Sequence, residues 1–442
     1  VGIGGAGMSA IAAVLVRMGH EVSGSDLKDG PVLERLRAKG VTVSIGHDAR
    51  NVIGAQGVAI SSSVPSSNVE LAAARASGIA IWTRAETLRA ITAQRATIAV
   101  SGTHGKTTTS SMLALMLVEA KRNPSFLVGG EVNEIGTNAA WDSGEWLVVE
   151  ADESDGTFLK LDSKIALVTN VEADHLEHYG SLAALEDAFR EFLAGAPSGC
   201  FICADDPGAR RCAPLGARTY GFSPDADWRI EKFTGGRSNI AFDLKSATED
   251  LGRFELPVPG AHNALNAAGA IAVARSLGVE ADDLRKALAR FAGVARRFEF
   301  RGEKHGITFV DDYAHLPTEV RATLAAARRG GWSRIVCVFQ PHRFSRVAAL
   351  SSEFCDAFVD ADVVAITAIY SAGETPLPGI TAELILDGVF EAHPQAHVLY
   401  VPSRNDVVAY LKAVLRPGDC CLTMGAGDLT SLPAELLADT TW

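Results

Sequence analysis

One stretch limits what this chain can fold into more than any other: Thr97-Ile98-Ala99-Val100-Ser101-Gly102-Thr103-His104-Gly105-Lys106-Thr107-Thr108-Thr109. A short apolar run reads as a buried strand and breaks into a glycine-flanked loop. A helix-like segment follows through Met112, Leu113, Leu115, Met116, Leu117 and Val118. Strand, loop and helix in that order form a phosphate cradle, because glycines let the backbone approach and amides at the helix start point at the anion. Lysine adds a positive charge, and the hydroxyl after it can sit on Mg²⁺. Gly102, Thr103, His104, Gly105, Lys106, Thr107 and Thr108 are therefore candidate ligands of a nucleoside triphosphate. The full Walker pattern asks for a glycine five residues before Gly105, where this chain has Val100.

A chain of 442 residues exceeds one ordinary core, so two or three domains are expected. The net charge of −12 (41 basic against 53 acidic residues) argues against a nucleic-acid or anionic-membrane partner. An anionic substrate would need a locally basic cleft. No apolar run approaches the roughly 20 residues of a membrane span, and no signal peptide opens the chain. Seven scattered cysteines suit reduced thiols in a cytoplasmic protein. Cys200 and Cys203 form a CxxC without a second pair at zinc spacing, and read as strand residues. Val1 stands in mid-strand, which implies residues ahead of it.

Residues 1–92 alternate strand and helix: Val1–Ile3, Met8–Met18, Glu21–Gly24, Pro31–Lys39, then Gly57–Ser61, Val69–Ala76, Ile79–Trp82 and a helix near Leu88. That rhythm predicts a parallel sheet covered on both faces. Its first turn, Gly2-Ile3-Gly4-Gly5-Ala6-Gly7, fits GxGxxG, and Asp26 follows about 20 residues on. The backbone donors suit a diphosphate and the carboxylate a ribose hydroxyl, in NAD or in any other nucleoside diphosphate.

In residues 93–296, strand Glu145–Val149 delivers Glu150, with Asp152, Glu153 and Asp155 next. Strand Ile165–Thr169 ends in Asn170-Val171-Glu172-Ala173-Asp174-His175. Open α/β sheets bind ligands at the carboxyl ends of their strands, so acids at two such ends beside a phosphate loop are placed to hold Mg²⁺. Downstream, Asn263 and Asn266 share a helical face. Their amides suit the edge of a base, and Asn263 equally suits a helix cap. Residues 297–442 alternate again. Strands lead to Asp311-Asp312-Tyr313-Ala314-His315, to Gln340-Pro341-His342-Arg343-Phe344-Ser345-Arg346, to Ile369–Glu374 and to Met424–Asp428. Four polar strand ends mark the ligand edge of a second doubly wound sheet, and His342, Arg343 and Arg346 supply local positive charge for a carboxylate or phosphate.

Taken in order, these motifs resemble the Mur ligases of peptidoglycan synthesis. The resemblance runs from Gly4-Gly5-Ala6-Gly7-Met8-Ser9 through the Lys106 loop, Glu150-Ala151-Asp152-Glu153-Ser154-Asp155 and Glu172-Ala173-Asp174-His175. It continues through Gly260-Ala261-His262-Asn263, Arg296-Arg297-Phe298-Glu299, Asp311–His315, Gln340–Arg343 and Gly425-Ala426-Gly427-Asp428. Leu316 departs from the family, which usually repeats histidine there.

The resemblance implies a three-domain α/β protein: an N-terminal Rossmann-like parallel sheet for a UDP-sugar (1–92), a central P-loop ATPase domain (93–296) and a C-terminal Rossmann-like domain for an incoming amino acid (297–442). The implied reaction joins L-alanine to the lactyl carboxylate of UDP-N-acetylmuramate through an acyl phosphate, at the expense of ATP. The runner-up is recycling of a free peptide onto the same sugar. Implied UDP-sugar residues are Gly4, Gly5, Ala6, Gly7, Asp26 and Ser62. Besides the phosphate loop, ATP falls to Asn263, Asn266, Arg297, Asp312 and Tyr313. Thr107, Glu150 and His175 fall to Mg²⁺, although an imidazole points to a water-mediated contact or to Mn²⁺. His342, Arg343 and Arg346 would face carboxylates, and Lys106, His175, Asp312, His342 and Arg343 would carry catalysis. Partners reduce to small molecules, in a monomer or weak homodimer. A dehydrogenase or a nucleotide switch would leave parts of this set unexplained.

Overall fold

The computed structural model describes residues 1–61, 63–440 and 442. The chain forms two compact units: Val1–Arg229 with Lys245–Asp250 and Leu265–Leu288, and Ile230–Leu244 with Leu251–Ala264 and Ala289–Trp442.

At the start of the first unit the expected parallel strands form two pairs. Strand Ser23–Asp26 pairs in parallel with Thr42–Ile45, and Gly57–Ile60 pairs in parallel with Ala80–Thr83, as two separate pairs. Val1–Ile3 is not a regular strand, yet it stitches the pairs together. Gly2 N and Ile3 N both donate to Ser25 O (2.9 and 3.0 Å), Val1 N donates to Ala59 O (2.7 Å) and Ser61 N to Val1 O (3.2 Å). Gly2 already turns at φ 76°, which ends the ladder. Behind it, helix Ala6–Arg17 buries Ile11 and Val14 against Ile3, Leu33 and Leu36. Each such side chain contributes about 1.5–3 kcal/mol.

The rest of the first unit is a parallel sheet around strand Ala96–Ser101. Trp146–Glu150 flanks it on one side and Ser163–Val168 on the other, in registers that set Val100 opposite Glu150 and Ser101 opposite Val168. Ser125–Val132 and the antiparallel Thr137–Ala140 lie beyond the first neighbour; Gly199–Cys203 and Arg218–Gly221 lie beyond the second. The chain thus winds outward in both directions from Ala96–Ser101, whose carboxyl end sits at the switch point where such sheets bind ligands.

In the second unit, Glu299–Lys304 and Ile307–Asp312 form a hairpin. The sheet continues in parallel through Asp419–Met424, Arg334–Phe339, Val363–Ile366 and Val398–Tyr400. Alternation of side chains feeds two cores. Ile335, Cys337 and Phe339 pack on one face, Val336 and Val338 on the other. All seven cysteines are free, Cys200 and Cys203 as buried strand residues, as their spacing predicted. Among the described residues no helix is long and apolar enough to cross a membrane.

Candidate active site

In the first unit, Gly5 N donates to Gly2 O (3.3 Å), closing the turn ahead of helix Ala6–Arg17. No side chain caps that helix, so its first amides are left for a ligand. Gly4 N donates to Asp26 Oδ2 (2.8 Å) and Leu27 N to Asp26 Oδ1 (2.7 Å), tying the strand end to the turn. A Cβ on Gly4 would lie 2.8 Å from that same oxygen, so a side chain there would push the Asp26 carboxylate off the turn. The structure therefore gathers Gly4, Gly5, Ala6, Gly7 and Asp26, while Ser62 lies outside the described residues. Sequence reading passed over Glu70, which is fully buried behind this strand end. It accepts from Ser25 Oγ (2.6 Å) and Asn51 Nδ2 (2.5 Å), and His47 Nδ1 lies 3.2 Å away. Burial alone would raise the Glu70 carboxyl, but these hydrogen bonds outweigh it and hold it below its ordinary value.

The phosphate loop turns through Gly102 (φ 133°) and Gly105 (φ 79°). His104 N donates to Asn170 Oδ1 (2.7 Å), Asn170 Nδ2 donates back to His104 O (3.1 Å), and Thr103 N donates to Asn170 O (3.1 Å). The amides of Gly105 to Thr108 donate to no acceptor among the described residues, which leaves them open to an anion. Lys106 Nζ donates to Gly102 O (2.6 Å) and Glu153 Oε1 (2.8 Å). Burial works to lower its pKa, but the carboxylates of Glu153, Asp152 and Glu150 outweigh that and hold it above the ordinary lysine value.

Thr107 Oγ1 donates to Glu150 Oε1 (2.9 Å), and Gly129 N to Glu150 Oε2 (2.6 Å). This hydroxyl and carboxylate suit Mg²⁺, which takes one or two protein oxygens and completes its octahedron with water and phosphate. Glu153 Oε2, buried without a hydrogen-bond partner, is a further acceptor that a cation would satisfy. His175 stands among the carboxylates of Asp174 and Glu153. It sits at φ 55° with Nε2 3.2 Å from Asp174 Oδ2 and 3.9 Å from Glu153 Oε1. Among the described residues no group of three or more His, Cys, Asp and Glu makes a ready metal cage.

Asn266 lies against the phosphate loop, its Oδ1 2.5 Å from where a Cβ on Gly105 would stand. Asn263 turns its amide Nδ2 to Pro259 O (2.7 Å), a bond that secures the helix start. Helix Ala261–Ser276 begins in the second unit and continues in the first, so the two asparagines fall in different units.

In the second unit, Asp312 accepts from Phe298 N and Ala314 N (both 2.7 Å). Burial pushes its carboxyl up to about 6, with the Arg297 guanidinium pulling the other way. The guanidiniums of Arg296 and Arg297 lie 4.7 and 5.3 Å from the Tyr313 ring centroid. Arg297 also pairs with Glu319 (3.2 Å). At the next strand end, Arg346 Nη1 donates to His342 Nδ1 (3.0 Å), which makes the imidazole neutral with its other nitrogen protonated. Burial pushes His342 down to about 3, with His315, Arg346 and Arg343 adding to the effect. Tyr370 stacks on His342 at 5.6 Å between ring centroids. Arg343 holds a φ of 70°, costly for a side chain with a Cβ, and is fixed by Arg343 N donating to Tyr370 O (2.8 Å). His342 and Arg343 thus stand on one strand-end loop, and Arg346 lies in the first turn of the helix Phe344–Leu350 that follows. Tyr370 and Glu374, which binds Ser345 Oγ (2.6 Å), join them from the next loop.

Residues 1–96 match the family described as Mur ligase family, catalytic domain; residues 100–274 match the Mur ligase middle domain. Residues 296–427 match Mur ligase, glutamate ligase domain. A protein of Bradyrhizobium sp. (strain ORS 278) named UDP-N-acetylmuramate–L-alanine ligase is 45% identical over 454 aligned residues, covering 99% of this chain and 97% of its own. A protein of the same name from Myxococcus xanthus (strain DK1622) is 45% identical, covering 99% of this chain and 93% of its own. Among solved structures, the UDP-N-acetylmuramate–alanine ligase of Thermotoga maritima aligns at a TM-score of 0.81 and 28% identity, covering 99% of this chain and 97% of that one. A murein peptide ligase of Psychrobacter arcticus shares the fold at a TM-score of 0.70 and 24% identity, over 99% and 97% of the two chains. Three successive domain matches along an α/β chain, with relatives aligned almost end to end, lead to one assignment: the chain belongs to the Mur ligase family.

Proposed function

We propose that this chain is an ATP-dependent amide ligase that joins L-alanine to the lactyl carboxylate of UDP-N-acetylmuramate, a step of peptidoglycan precursor synthesis. The observation that carries this reading is the near-complete alignment, at 45% identity, with relatives named for that reaction. The carboxylate attacks the γ-phosphorus of ATP, forming an acyl–phosphate bond and releasing ADP. The alanine amine then attacks the acyl carbon, and inorganic phosphate leaves as the amide forms.

In this reading the three domains divide near residues 92 and 296. Gly4 to Gly7 cradle the UDP diphosphate and Asp26 faces the ribose, with Ser62 in the same sugar site. The unused amides of Gly105 to Thr108 bind the ATP phosphates, and Lys106 exchanges a carboxylate partner for the γ-phosphate, neutralising charge as it develops. Thr107 and Glu150 would hold Mg²⁺, with His175 acting from the outer sphere. Bound there, the ion supplies charge neutralisation to the phosphoryl oxygens. Asn263, Asn266, Arg297, Asp312 and Tyr313 serve the nucleotide. His342, Arg343 and Arg346 receive carboxylate groups. The chain works in the cytoplasm as a monomer or weak homodimer.

The test is phosphate release from ATP with UDP-N-acetylmuramate and each amino acid or short peptide in turn. Release that requires both the sugar and L-alanine is expected. Release with a murein peptide but not with alanine would overturn the choice of acceptor.

A further inference from the structure

Arg84 is a residue for which the sequence offered no role. It opens helix Arg84–Thr92, set in place by a capping box in which Thr83 and Glu86 exchange hydrogen bonds. Its guanidinium lies against the glycine turn, where a Cβ on Gly7 would stand 3.1 Å from Nη1 and 3.4 Å from Cδ. On its other side Nη2 reaches Asp155 Oδ2 at 2.9 Å and Asp152 Oδ2 at 3.5 Å. Those two acids belong to the loop that carries Glu153, the partner of Lys106. Arg84 Nε is buried and has no hydrogen-bond partner.

This placement is electrostatically odd for a protein without ligands. Gly7 is in the first turn of helix Ala6–Arg17, whose amino end already carries a partial positive charge. A guanidinium packed there is unfavourable unless an anion lies nearby. Asp155 and Asp152 answer only one of its nitrogens, and a buried unpaired N–H costs about 1–3 kcal/mol. An anionic group at the turn would complete the set.

We infer that Arg84 is a binding residue for the diphosphate of the UDP-sugar. It also couples that site to the acidic loop beside Lys106, because one guanidinium serves both. The inference rests on reading the glycine turn as the diphosphate site. Diphosphate arriving at the turn takes up the free N–H groups of Arg84 and draws charge away from Asp155 and Asp152.

The experiment measures UDP and uridine binding by calorimetry in the full chain, for the wild type, Arg84→Ala, Arg84→Lys, Asp155→Asn and Arg84→Ala/Asp155→Asn. Loss of a charge-assisted contact should weaken UDP about ten- to a hundredfold and leave uridine within about twofold. Arg84→Lys should recover part of the loss and also guards against a folding defect in the alanine variant. Asp155→Asn should change UDP affinity when Arg84 is present and leave it unchanged in Arg84→Ala. Wild-type UDP affinity in Arg84→Ala overturns the inference, as does an equal effect of Asp155→Asn in both backgrounds. Gly5→Asp separates the underlying reading. If it abolishes UDP binding while Arg84→Ala does not, the turn is the diphosphate site and Arg84 is only a structural ion pair. If Gly5→Asp also binds UDP normally, the reading of the turn itself fails.

Discussion

Lys106 is held by Glu153 and two loop carbonyls before any phosphate reaches it, so its ammonium is both positioned and kept charged. Lys106→Ala should therefore act twice. ATP turnover should fall about a thousandfold, the effect of removing several kcal/mol of charge stabilisation from the barrier. The chain should also lose about 3–5 kcal/mol of stability, because a buried carboxylate is left without its cation. Steady-state kinetics and urea unfolding check the two parts, and near-normal turnover would reduce the loop to a structural turn. Asp312 and His342 predict opposing pH effects. The folded Asp312 carboxyl titrates near 6 against an ordinary 3.8, so the fold keeps a proton that the unfolded chain releases, and stability falls as pH rises from 4 to 6 by about 3 kcal/mol. The folded imidazole of His342 titrates near 3 against 6.5, so the unfolded chain takes a proton first and stability falls as pH drops below 6.5. In urea midpoints across pH 4 to 7, Asp312→Asn should gain on the wild type as pH climbs to 6. His342→Gln should gain as pH falls. Parallel curves for all three proteins would refute both assignments.

At the level of elements, the capping box ahead of Arg84–Thr92 is the most local device near the glycine turn. Thr83→Ala removes the side-chain cap on Glu86 N and the hydroxyl's bond to the Glu86 carboxylate, leaving only the bond from the backbone N–H, and should cost about 1 kcal/mol in urea unfolding. A variant as stable as the wild type would mean that packing alone seats the helix. The phosphate loop was legible in the sequence because strand, glycines, lysine and helix follow one another directly. Glu150 was legible for the same reason, as a charge at the end of an apolar run. Asn170, Glu70 and Arg84 were not, since Asn170 and Arg84 gain their meaning from partners 66 and 71 residues away and Glu70 from one 45 residues away. Asn170 clamps His104, yet nothing in its own neighbourhood distinguishes it from a loop polar residue. Val1–Ile3 was misread as a strand because its apolar character is right, whereas Gly2 bends at the point where a ladder would have to continue. Asn263 gives its amide Nδ2 to Pro259 O at the helix start, a partner only four residues away.

For the molecule as a whole, the two chemical steps make different demands. In the proposed reaction activation needs ATP and the muramyl carboxylate; alanine is needed only afterwards. If Arg343 receives the amino acid, Arg343→Ala should still form acyl phosphate, trapped as a hydroxamate by hydroxylamine, while ligation falls about ten- to a hundredfold. Lys106→Ala should give no hydroxamate. Equal loss of hydroxamate and ligation in Arg343→Ala would assign that arginine to activation instead. The cysteines carry a different consequence. Six of the seven are buried and only Cys355 is partly open. Burial pushes Cys203 and Cys420 up to about 12 and Cys212 up to about 11, far from thiolate at neutral pH. An alkylating reagent should thus add a single mass increment to the native chain. Cys200, Cys203 and Cys212 lie in the first unit, while Cys337, Cys420 and Cys421 lie in the second with Cys355. The pattern of later increments, read by peptide mass, becomes an internal clock that reports which unit opens first.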